Sequence, residues 1–399
     1  MKRGCIVGYG RAGRIHLASS DEILIISTII DKRRSIQSLC NDVTTCVCDL
    51  SAMVSPDIDL VIVSTPTSTH FEICRQALDA GKHVFVEKPL ANSMSECKML
   101  YDLASKRDRL LFTAYNRRYD PEWISISEKL KGRYPIAITV VCCDHPFPSA
   151  NYLSTCGSIF RDCAIHDIDM ICNILDDVPT RVEALCNDTG ETSCVQFLFS
   201  KGCRVNMMHS RHSPHYEQRV IVQCDTEIIE IGRDQPPSGQ SFNERYADSY
   251  VSQIRDFVRR IYRGDHTPNV TLTHAIQLDT IISACETSSA QNGLEIYMTS
   301  LRNYDDAQER VREVYRTART FHTVERTKYL RYKYRPGTHG TWTVWQVLDA
   351  LKSFKDLSDP DVCCPNDQHA LQTAESLRAQ GLPDWLQLVG LIQIGRAHV

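Results

Sequence analysis

Gly4-Cys5-Ile6-Val7-Gly8-Tyr9-Gly10-Arg11-Ala12-Gly13 lies almost at the start of this 399-residue chain. Its apolar first half predicts a short buried strand, and its second half has the spacing Gly-x-Gly-x-x-Gly. In such a loop Gly8 permits the tight turn and Gly10 lets the backbone approach a pyrophosphate. Gly13 lets the following helix pack close to the strand, with its positive N-terminal end facing the phosphates. The stretch therefore predicts a dinucleotide-binding strand–loop–helix unit.

A carboxylate ends the second predicted strand, where such units contact the adenosine ribose. Residues 23–30 are mostly apolar, and Asp31 follows them eighteen positions after Gly13. A carboxylate here accepts hydrogen bonds from the ribose hydroxyls and repels a 2′-phosphate, which favours NAD. The basic run Lys32-Arg33-Arg34 comes next and could hold a 2′-phosphate. NAD is therefore the predicted cofactor, and NADP stays open.

Strands and helices continue to alternate up to about residue 120. Residues 60–64 predict a third strand, residues 71–80 a helix and residues 83–86 a further strand. This alternation is typical of a parallel, doubly wound sheet, the Rossmann type of α/β fold. Ligands of such sheets bind beyond the carboxyl ends of the strands. That edge of the predicted sheet carries four candidate residues: Gly8, Asp31, Thr65 and Lys88.

The pattern changes after residue 120. Few helices separate the next strand-like runs, which therefore predict an α+β domain with an open antiparallel sheet. Such a sheet can pack helices on one face and a second copy of the chain on the other, so we expect a homo-oligomer. The predicted strands are Ile136–Cys143, Arg181–Leu185, Cys194–Phe199, Arg204–His209 and Arg219–Cys224.

Composition argues against two classes of partner. The net charge is −4 and the pI is about 6.4, so the chain lacks the basic surface that nucleic acid requires. No apolar run reaches the roughly 20 residues of a membrane-spanning helix, and the run after the basic start is too short for a signal peptide. We therefore expect a cytoplasmic protein. The 18 cysteines are scattered without metal-site spacing and should be mostly free.

Asp162 and His166 form a candidate catalytic pair within Gly157–Asp169. Because they are four positions apart, they would share one face of a helix. A carboxylate beside an imidazole can set its tautomer and raise its basicity, which suits a general base for an alcohol. On the residues alone, an ordinary pair on a helix surface remains the alternative.

Three motifs together resemble the Gfo/Idh/MocA oxidoreductases, a family that includes inositol 2-dehydrogenases. They are the glycine loop from Gly8 to Gly13, Thr65-Pro66 with His70, and Glu87-Lys88-Pro89, which is the most specific of the three. The resemblance covers residues 1–297. It implies an NAD(P)-dependent oxidoreductase that acts on a CH–OH group of a small polyol.

The resemblance also implies roles for individual residues. His166 would take the proton from the substrate hydroxyl, oriented by Asp162, while Lys88 would lie at the reacting carbon and stabilise the alkoxide or relay the proton. Arg117 and Asp169 would contact other substrate hydroxyls. The cofactor would be held by Gly8, Gly10, Gly13, Asp31, Thr65, Pro66, His70 and Glu87.

One segment departs from the inositol pattern: Asp144-His145-Pro146, near a substrate loop. It weakens the assignment of the substrate but not that of the reaction class. The predicted function is NAD-dependent oxidation of a ring hydroxyl of myo-inositol or a related polyol, in inositol catabolism. A dehydrogenase of another sugar or polyol is one alternative. A cofactor-binding sensor without turnover is another, against which the intact Lys88, Asp162 and His166 argue.

A second resemblance begins near residue 298, where the chain becomes basic, aromatic and helical in pattern. Arg302-Asn303-Tyr304, residues 356–362 and residues 369–375 resemble the N-terminal half of myo-inositol oxygenase, an all-α di-iron enzyme of the HD-domain type. The resemblance implies that His369 is an iron ligand and that Arg302 and Asp356 lie near the substrate. Oxygenation of myo-inositol to glucuronate by a full-length parent protein is therefore a further alternative.

The oxygenase-like segment is expected to be incomplete. The remaining histidine and aspartate ligands would follow Ile392, but the chain ends with Gln393-Ile394-Gly395-Arg396-Ala397-His398-Val399. One histidine cannot hold two irons, so iron is expected only in a complete domain. The codons ATC GGA AGA GCA CAC GTC, which encode the last six residues, resemble a sequencing-library adapter. The predicted division is a Rossmann domain at 1–120, a substrate and oligomerisation domain at 121–297, a partial oxygenase-like domain at 298–393, and an artefact at 394–399.

Overall fold

The computed structural model describes residues 1–33, 45–154, 156–232 and 242–298, together with Thr343, Gln346, Ala374, Glu375 and Arg378. The chain divides into two units, Met1–Ser300 and Leu301–Val399. The predicted oxygenase-like positions Arg302, Asp356 and His369 lie outside the described residues, and so does Arg34. The first unit contains both sheets.

The described strands of the first sheet are β1 (Arg3–Val7), β2 (Ile25–Ile30), β3 (Thr45–Val47), β4 (Leu60–Val63), β5 (His83–Glu87) and β6 (Leu111–Ala114). Helix α1 (Arg11–Ser19) joins β1 to β2, α2 (His70–Asp79) joins β4 to β5, and α3 (Met94–Arg107) joins β5 to β6. All strands are parallel, in the order β3-β2-β1-β4-β5-β6. This is the strand order of a Rossmann fold, so the predicted α/β domain is confirmed.

The second part of the unit begins with α4 (Pro121–Lys129). Its described strands are β7 (Ala137–Cys143), β8 (Pro179–Cys186), β9 (Thr192–Phe199), β10 (Arg204–Ser210), β11 (Glu217–Gln223), β12 (Ile228–Ile231) and β13 (Ile296–Tyr297). Its described helices are α5 (Ala150–Leu153), a π-helix at Phe160–Ala164, α6 (Ile165–Leu175), α7 (Phe242–Arg245), α8 (Ala247–Arg263) and α9 (Leu272–Ala290).

The second sheet is mixed, and the prediction of an antiparallel sheet is wrong in this respect. Its order is β12-β11-β7-β10-β9-β8-β13, and β10 pairs with β7 in parallel. The cause is the helical crossover from β7 to β8, which carries the chain three strands away. The antiparallel meander β8-β9-β10 then returns to β7, with β10 running in the same direction. The loops that follow β7 and β10 consequently leave the same edge of the sheet.

One face of the second sheet is buried and the other is open. Alternate residues such as Phe197 of β9 and Val205 of β10 enter a core that they share with Ile168 of α6 and Ile281 of α9. The residues between them point to the open face, where Met208 is exposed. A binding face for a second copy is therefore available, and the homo-oligomer stays a prediction.

Helix α8 returns to the first sheet. Its Ile254 and Phe257 are fully buried, and the Phe257 ring lies 5.5 Å from that of Phe85 and 5.4 Å from that of Phe112. The apolar stripe of the helix thus covers one face of the Rossmann sheet, although α8 falls within the predicted second domain. A boundary at residue 120 therefore separates the two sets of strands, but residues of α8, beyond that boundary, belong to the core of the first sheet.

Composition had led to expectations about cysteines, membranes and metals. Fourteen of the described cysteines are free, whereas Cys46 is disulfide-bonded, which spacing did not predict because pairing depends on proximity in space. Within residues 1–33, 45–154, 156–232 and 242–298, no helix is both long and apolar enough to cross a bilayer. The same residues contain no cluster of His, Cys, Asp and Glu that could hold a metal ion.

Candidate active site

The glycine loop leads from β1 into α1. Gly8 has a φ of +94°, and a Cβ atom there would lie 2.7 Å from the carbonyl oxygen of Ser64. A Cβ atom on Gly13 would lie 2.1 Å from the carbonyl oxygen of Gly8, so the protein itself requires both glycines. A Cβ atom on Gly10 would meet nothing within 4 Å. The space above Gly10, at an N-terminus of α1 that no side chain caps, therefore fits the pyrophosphate of a dinucleotide.

Asp31 lies at the end of β2, as predicted, but its carboxylate already has partners. Oδ2 accepts the backbone N–H of Tyr9 at 2.8 Å. The Arg33 guanidinium donates to Oδ1 and Oδ2, both at 2.9 Å, and also to the Tyr9 carbonyl oxygen at 2.9 Å. These hydrogen bonds from Arg33 hold the pKa of Asp31 well below its usual range. Arg33, which could hold a 2′-phosphate, thus donates to the same carboxylate oxygens that would accept hydrogen bonds from the ribose hydroxyls.

His70 was predicted to contact the cofactor, and the structure gives it a different role. Its ring is buried, with Nδ1 2.9 Å from the carbonyl oxygen of Pro89 and Nε2 2.9 Å from that of Thr65. A side chain enclosed in this way cannot reach a ligand directly. It links the loop after β4, where Thr65 is half-buried and Pro66 exposed, to the loop after β5. His70 is therefore a brace for two loops of the predicted cofactor site.

Glu87 ends β5 and is tied to the helix of the glycine loop. Its Oε1 lies 2.7 Å from Nε2 of His16, a fully buried residue of α1. Burial tends to raise the pKa of Glu87, but the hydrogen bond and charge of His16 and the charge of Lys88 outweigh it and lower the pKa. The contact holds β5 against α1, so the predicted role of Glu87 in the cofactor site is indirect as well.

Lys88 follows Glu87 and reaches the second part of the unit. Its Nζ lies 2.7 Å from the main-chain carbonyl oxygen of Asp162 and 3.4 Å from Oδ1 of the same residue. The Asp162 carboxylate also accepts Tyr152 Oη at 2.8 Å and Arg211 Nη2 at 3.1 Å. Although burial acts to raise the pKa of Asp162, the charge of Lys88 and the bonds from Tyr152 and Arg211 lower it. An ionised carboxylate and an ammonium group therefore meet in the crevice between the two sheets.

His166 does not pair with Asp162 as expected. No hydrogen bond joins the two among the described residues, because Asp162 lies in the π-helix and the wider π turn shifts it off the α-helical face of His166. The Nδ1 of His166 is buried without a described partner. Burial, followed by the charges of Lys88 and Arg117, holds the pKa of His166 well below its ordinary value. The imidazole is therefore neutral and able to accept a proton.

Arg117 and Asp169 were predicted to contact the substrate, and the structure shows both engaged in buried ion pairs. Arg117 is buried in an ion pair with Asp167, which is itself fully buried. Asp169 accepts Arg118 Nε at 2.8 Å and Nη2 at 2.6 Å, and lies 2.7 Å from Nε2 of His274. Buried charges must be paired, and these pairs occupy the Asp169 carboxylate and Nη1 of Arg117, whereas Nε of Arg117 is buried without a described partner. A direct contact of either residue with the substrate stays a prediction.

Sequence reasoning missed Tyr152, Arg211 and, as a site residue, Asp144. Arg211 directly follows β10 and Asp144 directly follows β7. Both follow strand ends at one edge of a sheet, which is where ligands of parallel strands bind. That signal required the parallel pairing of β7 and β10, which the sequence pattern does not reveal.

Comparison with known proteins agrees with this geometry. Residues 2–115 match the family model of the Gfo/Idh/MocA oxidoreductases, described as an NAD-binding Rossmann fold. Residues 2–115 are the Rossmann domain of a Gfo/Idh/MocA oxidoreductase. Residues 308–396 match the family model of myo-inositol oxygenase, so the chain joins parts of two enzyme families.

Similarity to this family extends beyond the Rossmann domain. The chain is 28% identical over 321 residues to the uncharacterized oxidoreductase YrbE of Bacillus subtilis, a match that covers 71% of this chain and 93% of the relative. It is 27% identical over 295 residues to myo-inositol 2-dehydrogenase of Thermotoga maritima, covering 65% and 88%. The scyllo-inositol dehydrogenase of Lactobacillus casei, solved with NAD(H) and scyllo-inositol, shares the fold: the TM-score is 0.65 at 20% identity, covering 74% of this chain and 99% of that one. The Gfo/Idh/MocA part is thus an NAD-linked oxidoreductase.

Proposed function

We propose that residues 1–297 catalyse the NAD-dependent oxidation of a ring hydroxyl of myo-inositol or a related polyol. The observation that carries the proposal is the contact between Lys88 and Asp162, which holds an ammonium group in the crevice between the two sheets. His166, a neutral base, begins the helix that follows Asp162. These are the groups that removal of a hydride and a proton from an alcohol requires.

Each residue has its own task in this reaction. A bound NAD would supply the acceptor for the hydride of the carbon that bears the hydroxyl group. His166 accepts the hydroxyl proton; its lowered pKa keeps the imidazole neutral but also makes it a weak base, so the proton transfer depends on stabilisation of the alkoxide by Lys88. The Lys88 ammonium stabilises the negative charge that develops on the substrate oxygen. The products are a ketone, the reduced cofactor and a proton that leaves through His166.

Two comparisons support a polyol substrate and NAD. One relative is named myo-inositol 2-dehydrogenase, and one structural neighbour holds NAD(H) and scyllo-inositol. The crevice presents Lys88, Asp162 and Arg211, which suit a substrate with many hydroxyl groups. Asp31 favours NAD because a 2′-phosphate would meet its carboxylate.

The test is NADH formation by the purified protein, with NAD and a panel of polyols that includes myo-inositol and scyllo-inositol. We expect Lys88→Ala and His166→Ala to abolish turnover while NADH binding persists. Lys98→Ala and His215→Ala are matched controls, because both side chains are exposed in the same two parts of the unit. Full turnover by Lys88→Ala would overturn the proposal.

The same assay separates two alternatives. Turnover of another sugar or polyol, without turnover of any inositol, would indicate a dehydrogenase with a different substrate. NADH binding without turnover of any substrate in the panel would indicate a sensor. The Lys88–Asp162 contact favours an enzyme, since a sensor needs no half-buried ammonium in this crevice.

The match of residues 308–396 to the oxygenase family supports a second proposal. We infer that a full-length parent oxygenates myo-inositol to glucuronate, with His369 as one iron ligand and with Arg302 and Asp356 at the substrate, so that the fusion serves inositol catabolism. Iron content and oxygen uptake of the parent and of its His369→Ala variant test this. Sequencing the 3′ end of the transcript tests whether residues 394–399 belong to the gene.

The open face of the second sheet is the proposed contact with a second copy, in a protein that we expect to be cytoplasmic. Leu185 and Met208 are both exposed large apolar side chains on this sheet. Light scattering of the wild type and of Met208→Glu would test the contact. A monomeric wild type would contradict it.

A further inference from the structure

Asp144 lies close to the Asp162 carboxylate, in the segment that departs from the inositol pattern. It comes directly after β7, and its backbone N–H donates to the carbonyl oxygen of Ser210 at the end of β10, 2.8 Å away. The Cys163 Sγ atom lies 3.8 Å from Oδ2 of Asp144 and 3.9 Å from Oδ2 of Asp162. One thiol thus separates the Asp144 carboxylate from the carboxylate that holds Lys88.

The Asp144 carboxylate lacks strong donors, unlike its neighbour. Asp162 accepts from Lys88, Tyr152 and Arg211, whereas the Cys163 thiol is the one side-chain donor to Asp144 among the described residues. A thiol is a weak donor with one proton, and here two carboxylates compete for it. Burial and the two carboxylates raise the pKa of this thiol, so it stays protonated. Asp144 is therefore left with hydrogen-bonding capacity unused inside the site.

The charges around Asp144 also indicate that its carboxylate lacks stabilising partners. Burial and the negative charge of Asp162 raise the pKa of the Asp144 carboxyl, and the charges of Arg117 and Arg11 compensate this only in part. The Asp144 side chain is half-buried, so a ligand can still reach it. A carboxylate that is mostly desolvated, short of donors and still accessible gains from hydroxyl groups brought by a ligand.

The loop that carries Asp144 is held in place from both sides. His145 Nδ1 lies 2.9 Å from the carbonyl oxygen of Ser213, and the ring of Phe147 stacks on that of His212 with centroids 4.1 Å apart. These contacts join the loop after β7 to the loop after β10. Asp144 is therefore presented from a fixed position, as a binding group needs to be.

We propose that Asp144 binds the substrate by accepting hydrogen bonds from hydroxyl groups other than the one that is oxidised. This inference rests on the proposed polyol oxidation and adds a specificity-determining residue to it. It also sets the substrate class, because a sugar acid would bring its own negative charge against Asp144, whereas a neutral polyol brings only donors. The site is thus selective for uncharged polyols over uronates and aldonates.

The test compares Asp144→Asn and Asp144→Ser with the wild type and with Asp225→Asn as the matched control. Asp225 is an exposed carboxylate after β11, at the opposite end of the same sheet. Steady-state kinetics with NAD are measured on the best neutral polyol and on the corresponding sugar acid. NADH binding is measured for every variant to show that the cofactor domain is intact.

We expect both Asp144 variants to raise KM for the polyol about tenfold, the loss of a hydrogen bond to a charged acceptor, with a smaller change in kcat. The discrimination against the sugar acid should shrink by a similar factor, and Asp225→Asn should change neither. Unchanged KM in both Asp144 variants, with a wild type that oxidises polyols, would overturn this inference and leave the proposed function standing. A wild type that oxidises no polyol would overturn both.

Discussion

Lys88 and Asp162 are joined twice across the crevice: the ammonium nitrogen lies 2.7 Å from the main-chain carbonyl oxygen of Asp162 and 3.4 Å from its carboxylate. The first contact belongs to the backbone of the π-helix and survives any side-chain substitution. The second supplies the charge that compensates the ammonium. The position of Lys88 therefore depends on the main-chain carbonyl of Asp162, and its charge is compensated by the carboxylate of the same residue.

This division predicts that Asp162→Asn is less damaging than Lys88→Ala. The asparagine variant keeps the carbonyl anchor but loses the negative charge, so kcat/KM should fall about 100-fold, against about 10,000-fold for Lys88→Ala. NADH binding should stay within a factor of about two for both, because neither contact reaches the glycine loop. Steady-state kinetics measure kcat/KM, and NADH fluorescence measures cofactor binding. Equal losses of kcat/KM for the two variants would show that the carbonyl contact alone does not position Lys88.

The glycine loop offers a matched pair of alanine substitutions. Gly10→Ala adds a methyl group to open space, so the protein should fold with an unchanged melting temperature but bind NADH at least tenfold more weakly. Gly13→Ala forces a Cβ atom to within 2.1 Å of a carbonyl oxygen and should destabilise the domain. Thermal unfolding and NADH titration distinguish the two. Undiminished NADH binding by Gly10→Ala would mean that the cofactor does not lie over this loop.

Arg33 is expected to control the choice of cofactor. Its guanidinium must leave the Asp31 carboxylate before a ribose can bind there, and once displaced it can pair with a 2′-phosphate. Arg33→Ala should therefore lower KM for NAD and raise KM for NADP, moving the ratio of their kcat/KM values about tenfold or more toward NAD. Lys98→Ala serves as the control, because Lys98 is an exposed cation on α3, which follows β5 and not the ribose-binding end of β2. A ratio that does not change would assign the preference to Asp31 alone.

His83 should make stability depend on pH below neutrality. Burial, then the charges of His266 and Arg109, lowers the pKa of His83 from 6.5 to about 4, and Leu110 N–H donates to its Nδ1 at 3.1 Å. The unfolded chain binds the proton more readily, so stability is full above pH 6.5 and falls as the pH drops toward 4. The loss attributable to His83 is on the order of 3 kcal/mol. Denaturant unfolding of the wild type and of His83→Gln at several pH values isolates it, and parallel curves for the two proteins would contradict the assignment.

The sequence alone determined the Rossmann part of the protein. Its strands are short apolar runs, its glycines occupy fixed positions in one loop, and Asp31 and Lys88 follow strand ends directly. These features are local, because a turn with positive φ needs glycine at one position and a buried strand needs a run of consecutive apolar residues. Contiguous motifs therefore sufficed to predict the fold of this domain, its nucleotide loop and the position of the ammonium group.

The partners of those residues were decided only by the tertiary structure. The spacing of four residues predicted that Asp162 pairs with His166. Because Asp162 lies in the π-helix, its carboxylate instead contacts Lys88, Tyr152 and Arg211. Asp169 is buried in an ion pair, whereas the Asp144 carboxylate lies against the Cys163 thiol, which also contacts Asp162. The parallel pairing of β7 and β10 joins residues more than sixty positions apart, and no local pattern encodes such pairing. A polar side chain can pair with another charge in the core or remain available to a ligand. Which of the two occurs depends on the elements that pack around it, and therefore on the tertiary structure of the whole unit.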